Sequence, residues 1–277
     1  MLFLLQLNDM NSFSDKVVVV TGGSEGIGKA LVEAFLAQGA KVAACGRNHD
    51  KLYSLQKNHP GKPLVIYTAD VSKEQDCRNF IDETVKTFGT VDILINNAGI
   101  SMRALFRDTE LETLRRVMDI NFWGAVYCTK YALPHIIKQK GTIVSVSSIA
   151  GYRGLPGRTG YSASKFAMNG YMEALRTELL DSGVNVMWVC PGFTASNIRN
   201  VALNAEAKPQ GESPMDEGSM MSAEECAQHI LSAIQKRKRT LVLTFTGKRT
   251  VFMNRFFPAW ADKLVKNFFF KNGELIR

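Results

Sequence analysis

The sequence predicts an α/β protein built on a doubly wound parallel sheet, with helices on both faces in three layers. Three observations predict it. Short β-branched, apolar runs alternate with segments of helical spacing along most of the chain. The runs are apolar at consecutive positions, as strands covered on both faces require. A glycine-rich turn directly follows the first run and opens the first helix.

The first strand is residues 16–21 (KVVVVT), and helical spacing over 27–38 stops at Gly39, a C-cap residue. Strands follow at 41–45 (KVAAC) and 64–68 (LVIYT). Ser72 and Gln75 read as a capping box that opens a helix to about residue 88. A fourth strand covers 91–96 (VDILIN), and a helical stretch from about 110 to 139 comes in two pieces. The fifth strand is 141–147 (GTIVSVS), followed by a helix from about 158 to 181 and a sixth strand at 184–190 (VNVMWVC). Residues 204–219 are polar, with Pro and Gly, and read as a mobile loop. Ser222 and Glu225 cap a further helix to about 235, and 240–246 (TLVLTFT) is a candidate seventh strand.

A length of 277 residues suits one large α/β domain or two small ones; with no linker between globular parts, the reading is one domain over 15–246 with a C-terminal extension over 247–277. Five irregularly spaced cysteines, three of them in apolar runs, suggest a reducing compartment and neither a disulfide framework nor a metal site. The apolar run at residues 1–7 is too short to cross a bilayer and makes a poor signal peptide; since the first strand begins only near Lys16, Met10 reads as a natural start, and a cytoplasmic location, with peripheral membrane contact as an option, is expected. The net charge of +8 is concentrated: residues 236–277 hold eleven Lys/Arg against two acids, and the remainder is almost neutral.

Thr21–Gly28 reads TGGSEGIG. Glycines there let backbone approach a pyrophosphate, and the helix N-terminus offers it free N–H groups; a plain tight turn is the alternative. Where the second strand ends, an acid would bind a ribose 2′-hydroxyl. Arg47 stands there instead, which suits a 2′-phosphate and so NADP, unless it is an ordinary surface arginine. Glu25 argues mildly the other way. Asp70 and Val71 close the third strand, where the carboxylate could accept from an adenine amino group or merely flank a helix. Asn97, Ala98 and Gly99 close the fourth, as a dinucleotide edge or a simple turn.

Tyr161 and Lys165 share one face of a predicted helix. An ammonium beside a phenol favours the phenolate and lowers a pKa that is otherwise near ~10. By itself the pair could be a packed ring and a surface lysine. Ser148 ends the fifth strand, where a hydroxyl can donate to a carbonyl oxygen or serve as a cap. Asn121 falls inside a helix, either at a kink that frees a backbone carbonyl for water or pointing outward.

TGGSEGIG, NNAG, the Asn121 segment, Ser148, YSASK and Pro191-Gly192 together resemble the short-chain dehydrogenase/reductase family over about residues 15–196. The resemblance implies a Rossmann-type fold and NADP(H) as cofactor. It implies Tyr161 as proton donor, Lys165 tuning it and binding the nicotinamide ribose, Ser148 polarising the carbonyl, and Asn121 anchoring a relay water. Gly22, Ser24, Gly26, Ile27 and Gly28 would shape the phosphate turn. Asn97 would follow the dinucleotide along the sheet edge, and Pro191, Gly192, Thr194 and Ser196 would meet the carboxamide end. Relatives of this kind often form dimers or tetramers through the helices around Asn121 and Tyr161, so a homo-oligomer is expected.

The extension interleaves Phe252, Phe256, Phe257, Trp260 and Phe268 with Lys and Arg. This pattern suits a membrane surface, a partner subunit, a roof over the substrate cleft, or packing on the same domain; no nucleic-acid motif accompanies the charge. The cleft and tail resemble relatives acting on lipids or steroids, including ketosphinganine reductases. The expected activity is reduction of a bulky or long-chain apolar ketone. An oxidative alcohol dehydrogenase, a non-catalytic NADP-binding regulator and a membrane-surface scaffold are the alternatives.

Overall fold

The computed structural model describes residues 13–276 apart from 212, 214–217 and 219. The run at 1–7, Met10 and much of the second half of the 204–219 segment lie outside the described residues.

Seven strands form one sheet: β1 (Val17–Thr21), β2 (Lys41–Gly46), β3 (Leu64–Thr68), β4 (Ile93–Asn96), β5 (Thr142–Val146), β6 (Asn185–Cys190) and β7 (Thr240–Val242). All neighbours pair in parallel, in the order β3-β2-β1-β4-β5-β6-β7. The order reverses at β1, between β2 and β4. A switch point of this kind opens a crevice beyond the C-terminal strand ends.

The valines of β1 show why these strands are apolar throughout. Val18 and Val20 face a core shared with Leu31 and Phe35 of α1 (Gly26–Ala37) and Ile230 and Ile234 of α7 (Ala223–Gln235). Val19 faces the opposite core, with Phe80 of α3 (Glu74–Phe88), Val117 of α4 (Leu111–Met118), Cys128 of α5 (Gly124–Gln139) and Met172 of α6 (Thr159–Glu178). Each fully buried valine contributes about 1.5–3 kcal/mol. All five cysteines are free and buried in these cores.

The structure corrects several sequence expectations. Ser72 and Gln75 form no capping box: α3 starts at Glu74, its N-cap Lys73 makes no side-chain cap, and the Ser72 hydroxyl instead donates to Asp70 Oδ1 at 2.8 Å. The predicted seventh strand stops at Val242. Thr244 adopts φ +63°, and its hydroxyl accepts from Gly247 N to cap a helix, α8 (Phe245–Phe256). The first half of the 204–219 segment is tied down: Ala205 O accepts from Glu110 N at 3.0 Å, and Gln210 N donates to Ala202 O at 2.9 Å. The sequence reading also passed over α2 (His49–Lys57), which Asn48 caps by accepting from Lys51 N.

Beyond α8 come α9 (Pro258–Phe269) and a hairpin of β8 (Phe270–Lys271) and β9 (Glu274–Leu275). Arg153, in the loop after β5, donates to Asn254 Oδ1 and pairs with Asp262, while Asn254 Nδ2 donates to Tyr152 O at 2.7 Å. Leu275 sits so close to Gly157 that a Cβ there would lie 2.5 Å from it. No described helix is long and apolar enough to cross a membrane.

Candidate active site

One cavity of about 550 Å3 opens at the C-terminal strand ends. It gathers every candidate catalytic and cofactor-binding residue except Asn121, with α8 and α9 closing one side through Met253, Leu264, Val265 and Phe268.

The dinucleotide half is shaped by close backbone contact. A Cβ on Gly28 would lie 2.0 Å from Gly22 O, so only glycine lets α1 begin there. Gly22 has φ +65°, and a Cβ on it would meet Ala98 Cα at 2.9 Å. The Asn97 amide donates to Thr21 O and Gly22 O, and the Thr21 hydroxyl accepts from Asn97 N and Ala98 N. Asn97 therefore locks the end of β4 to the glycine turn. The first turn of α1 carries neither a side-chain cap nor an acid, so its N–H groups remain available to an anion. These features fit a dinucleotide pyrophosphate.

Arg47 is exposed on the cavity rim. Glu25, the residue that weighed against a phosphate, is held by Lys51 at 2.6 Å. Asp70 lines the cavity, with its Oδ1 accepting from Ser72 N and Oγ, so that it flanks α3 and also faces the dinucleotide half.

The chemical end is built from β5 and α6. Tyr161 and Lys165 are 8% and 4% exposed. Lys165 Nζ donates to Val146 O at 2.9 Å and lies 5.6 Å from the Tyr161 ring centroid. Burial brings Lys165 down to about 8, so it is charged at neutral pH and loses that charge as pH rises through this value. Ser148 Oγ accepts from Ala150 N at 3.1 Å, which makes it a cap as well; its own O–H is left to donate toward the Tyr161 phenol. Ser147 and Asn169 brace this strand end through a 2.6 Å hydrogen bond.

The Tyr161 phenol differs from expectation. Burial raises its pKa above the ordinary tyrosine value, and the opposing influences are a hydrogen bond from Ser148 and the charges of Arg158 and Arg199. The Lys165 ammonium, which donates to the Val146 carbonyl, stands 5.6 Å from the centre of the same ring.

Asn121 is fully buried within a π-helical turn, Asp119–Trp123, and does not point outward. Its Oδ1 accepts from Ile100 N at 2.8 Å, and its Nδ2 donates to Ile100 O and to Ser164 Oγ, both at 2.9 Å. It ties the segment after β4 to α6 from behind the cavity. A Cβ on Gly99 would lie 3.2 Å from Asn121 Oδ1 and 3.6 Å from Lys165 Nζ, so all three groups are adjacent.

Sequence reasoning missed Arg158, Phe193 and Arg199, which also line the cavity. Arg158 carried a usable signal: it is a charged residue three positions before Tyr161, at the start of the same helix.

Comparison with known proteins agrees with this geometry. The family model described as short chain dehydrogenase matches residues 16–207. Dehydrogenase/reductase SDR family member 7B from Mus musculus is 36% identical over 251 residues, covering 87% of this chain and 77% of that protein. 11-beta-hydroxysteroid dehydrogenase A from Arachis hypogaea is 36% identical over 267 residues, covering 90% and 75%. A short-chain dehydrogenase/reductase from Burkholderia phymatum, solved in complex with NAD, has the same fold: TM-score 0.79, 23% identity, 88% of this chain and 94% of that one. One from Caenorhabditis elegans, solved with cofactor, superposes with TM-score 0.72 at 26% identity, covering 83% and 94%. The chain belongs to the short-chain dehydrogenase/reductase family of oxidoreductases.

Proposed function

We propose that the protein is an NADP(H)-dependent reductase that converts a bulky or long-chain apolar ketone to a secondary alcohol. The observation that carries this reading is the meeting of the Tyr161 phenol, the Ser148 hydroxyl and the Lys165 ammonium in one cavity with the glycine turn. Gly22, Gly26, Ile27 and Gly28 would hold the pyrophosphate, and Arg47 the 2′-phosphate. The cofactor supplies a hydride. Ser148 donates to the carbonyl oxygen and fixes its position; Tyr161 hands that oxygen its proton. Lys165 keeps positive charge beside the phenol, and Asn121 holds the backbone from which a relay water would hang. The test is oxidation of NADPH against ketones graded by chain length and bulk. Tight NADPH binding with no turnover across that series would favour a dinucleotide sensor.

Arg47→Asp is expected to weaken NADPH by about tenfold or more relative to NADH, because it removes a charge-assisted contact and adds repulsion. Titration of both cofactors by fluorescence checks this, and equal losses would remove Arg47 from phosphate recognition.

The long, apolar character of the substrate is supported by the aromatic wall of the cavity and by the steroid dehydrogenase name of one relative. Phe252, Phe256, Phe257 and Trp260 are exposed among Arg255, Lys263 and Lys266. This face suits peripheral docking on an anionic lipid surface from the cytoplasmic side. Phe256→Ser with Trp260→Ser should weaken co-sedimentation with phosphatidylserine vesicles by roughly tenfold; undiminished binding would place the contact elsewhere. Exposed Trp123 and Phe166, near Asn121 and Tyr161, suit pairing with a second copy of the chain.

A further inference from the structure

Arg158 is the strongest feature that the proposed reaction leaves unexplained. Its side chain lines the cavity beside Tyr161. Its Nε is buried with no hydrogen-bond partner, and no hydrogen bond or ion pair joins its guanidinium to any described residue. The residue as a whole is partly buried, and holding a guanidinium even partly out of water is costly without an anion or several acceptors. Two more guanidiniums make the region more positive. Arg199 donates to Thr194 O at 2.8 Å, and Arg103 donates to Leu275 O at 3.4 Å. Both disfavour the charge on Arg158.

Nothing in the described cavity wall offsets this charge. Its only carboxylates are Glu25 and Asp70, at the dinucleotide half; Lys51 holds the first and Ser72 binds the second. The backbone at Arg158 is also fixed. Gly157 has φ +71° under Leu275, Arg158 N donates to Leu155 O, and Ser162 N donates to Arg158 O. A positioned, partly buried guanidinium on a ligand cavity is the arrangement that binds an oxyanion through two parallel hydrogen bonds. The glycine turn already provides for the pyrophosphate on another element, so this guanidinium is available to the other ligand. Met253, Leu264, Val265 and Phe268 face the same space and would take an apolar group.

We propose that Arg158 is an oxyanion-binding subsite and that the ketone substrate is an amphiphile carrying a carboxylate or phosphate group, its apolar part lying under α8 and α9. This rests on the reductase reading above and narrows its substrate class.

The test compares ketones matched in chain length that end in a carboxylate, a phosphate monoester or a neutral methyl ester. The quantity read is the ratio of kcat/KM for the anionic ketone to that for the neutral one, measured with saturating NADPH in wild type, Arg158→Met and Arg158→Lys. Wild type should favour at least one anion by about tenfold or more, and Arg158→Met should bring the ratio close to one, mainly through KM. Arg158→Lys should keep part of the preference. The better anion identifies the head group. An unchanged ratio in Arg158→Met, or no preference in wild type, overturns the proposal.

A binding arm separates the two readings. Octyl phosphate and octanoate, with octanol as neutral control, are titrated into the wild-type NADPH complex by calorimetry. Binding of an anion but not of octanol, with no ketone reduced, would sink the reductase reading and leave the subsite standing. Equal binding of all three, or of none, would sink the subsite, and this arm decides the matter even if a variant fails to fold.

Discussion

Tyr161→Phe is expected to lower kcat for ketone reduction by roughly 10²- to 10⁴-fold while leaving NADPH affinity almost unchanged. The substitution removes one oxygen from a ring that is already buried and packed, so the fold and the dinucleotide half should persist. It removes the phenolic oxygen that the Ser148 hydroxyl faces in the cavity. Single-turnover absorbance of bound NADPH is the cleanest measure, because it isolates the chemical step from release of products. Turnover close to that of wild type would exclude Tyr161 as proton donor and return attention to a relay through Asn121. Loss of NADPH binding together with rate would give the tyrosine a role in holding the cofactor.

Gly28→Ala is expected to damage cofactor binding rather than the chemical step. The added methyl would lie 2.0 Å from Gly22 O and close to the Asn97 amide, both fixed by the clamp between β1 and β4. Neither neighbour is the free end of a flexible side chain, so the turn and the start of α1 must separate. We expect a loss of about 1–3 kcal/mol of stability, as for other overpacked sites, and NADPH affinity lower by roughly 100-fold. Gly26→Ala is the control: its φ of +54° imposes strain, but the nearest atom, Ser196 Cβ, is 3.4 Å away. Thermal unfolding and NADPH titration of both variants separate clash from strain. Equal behaviour would mean that close approach at Gly28 is not what fixes the turn.

These two positions also mark how far the sequence was legible. The run of valines in β1 and the glycines after it declare themselves because their constraint is local and severe: two-sided burial and absent Cβ atoms. Tyr161 and Lys165 were legible as a pair through helical spacing. The rest of the phenol's surroundings was not, because burial dominates its pKa and the further charges of Arg158 and Arg199 reach it from the helix start and from the segment after β6. Ser72 looked like a cap, yet a carboxylate two residues earlier claims its hydroxyl. The segment 240–246 has strand composition throughout, but Thr244 bends away at positive φ to start α8. Asn48 with Leu52 and Leu55 spelled a helix start that the reading passed over. The roof could only be posed as one choice among several, since what covers an aromatic stripe is settled by residues more than a hundred positions away.

That distance has a consequence for how the molecule assembles. The bond from Arg103 to Leu275 O joins positions 172 residues apart, and the Arg153–Asp262 pair spans 109. Closing loops of that size is slow compared with pairing neighbouring strands. During synthesis, the first six strands can therefore associate while Phe193 and the rest of the apolar cleft still face water. Until residues 245–275 emerge and dock, this intermediate carries an uncovered greasy groove, and chaperone capture or aggregation would act on it at that stage.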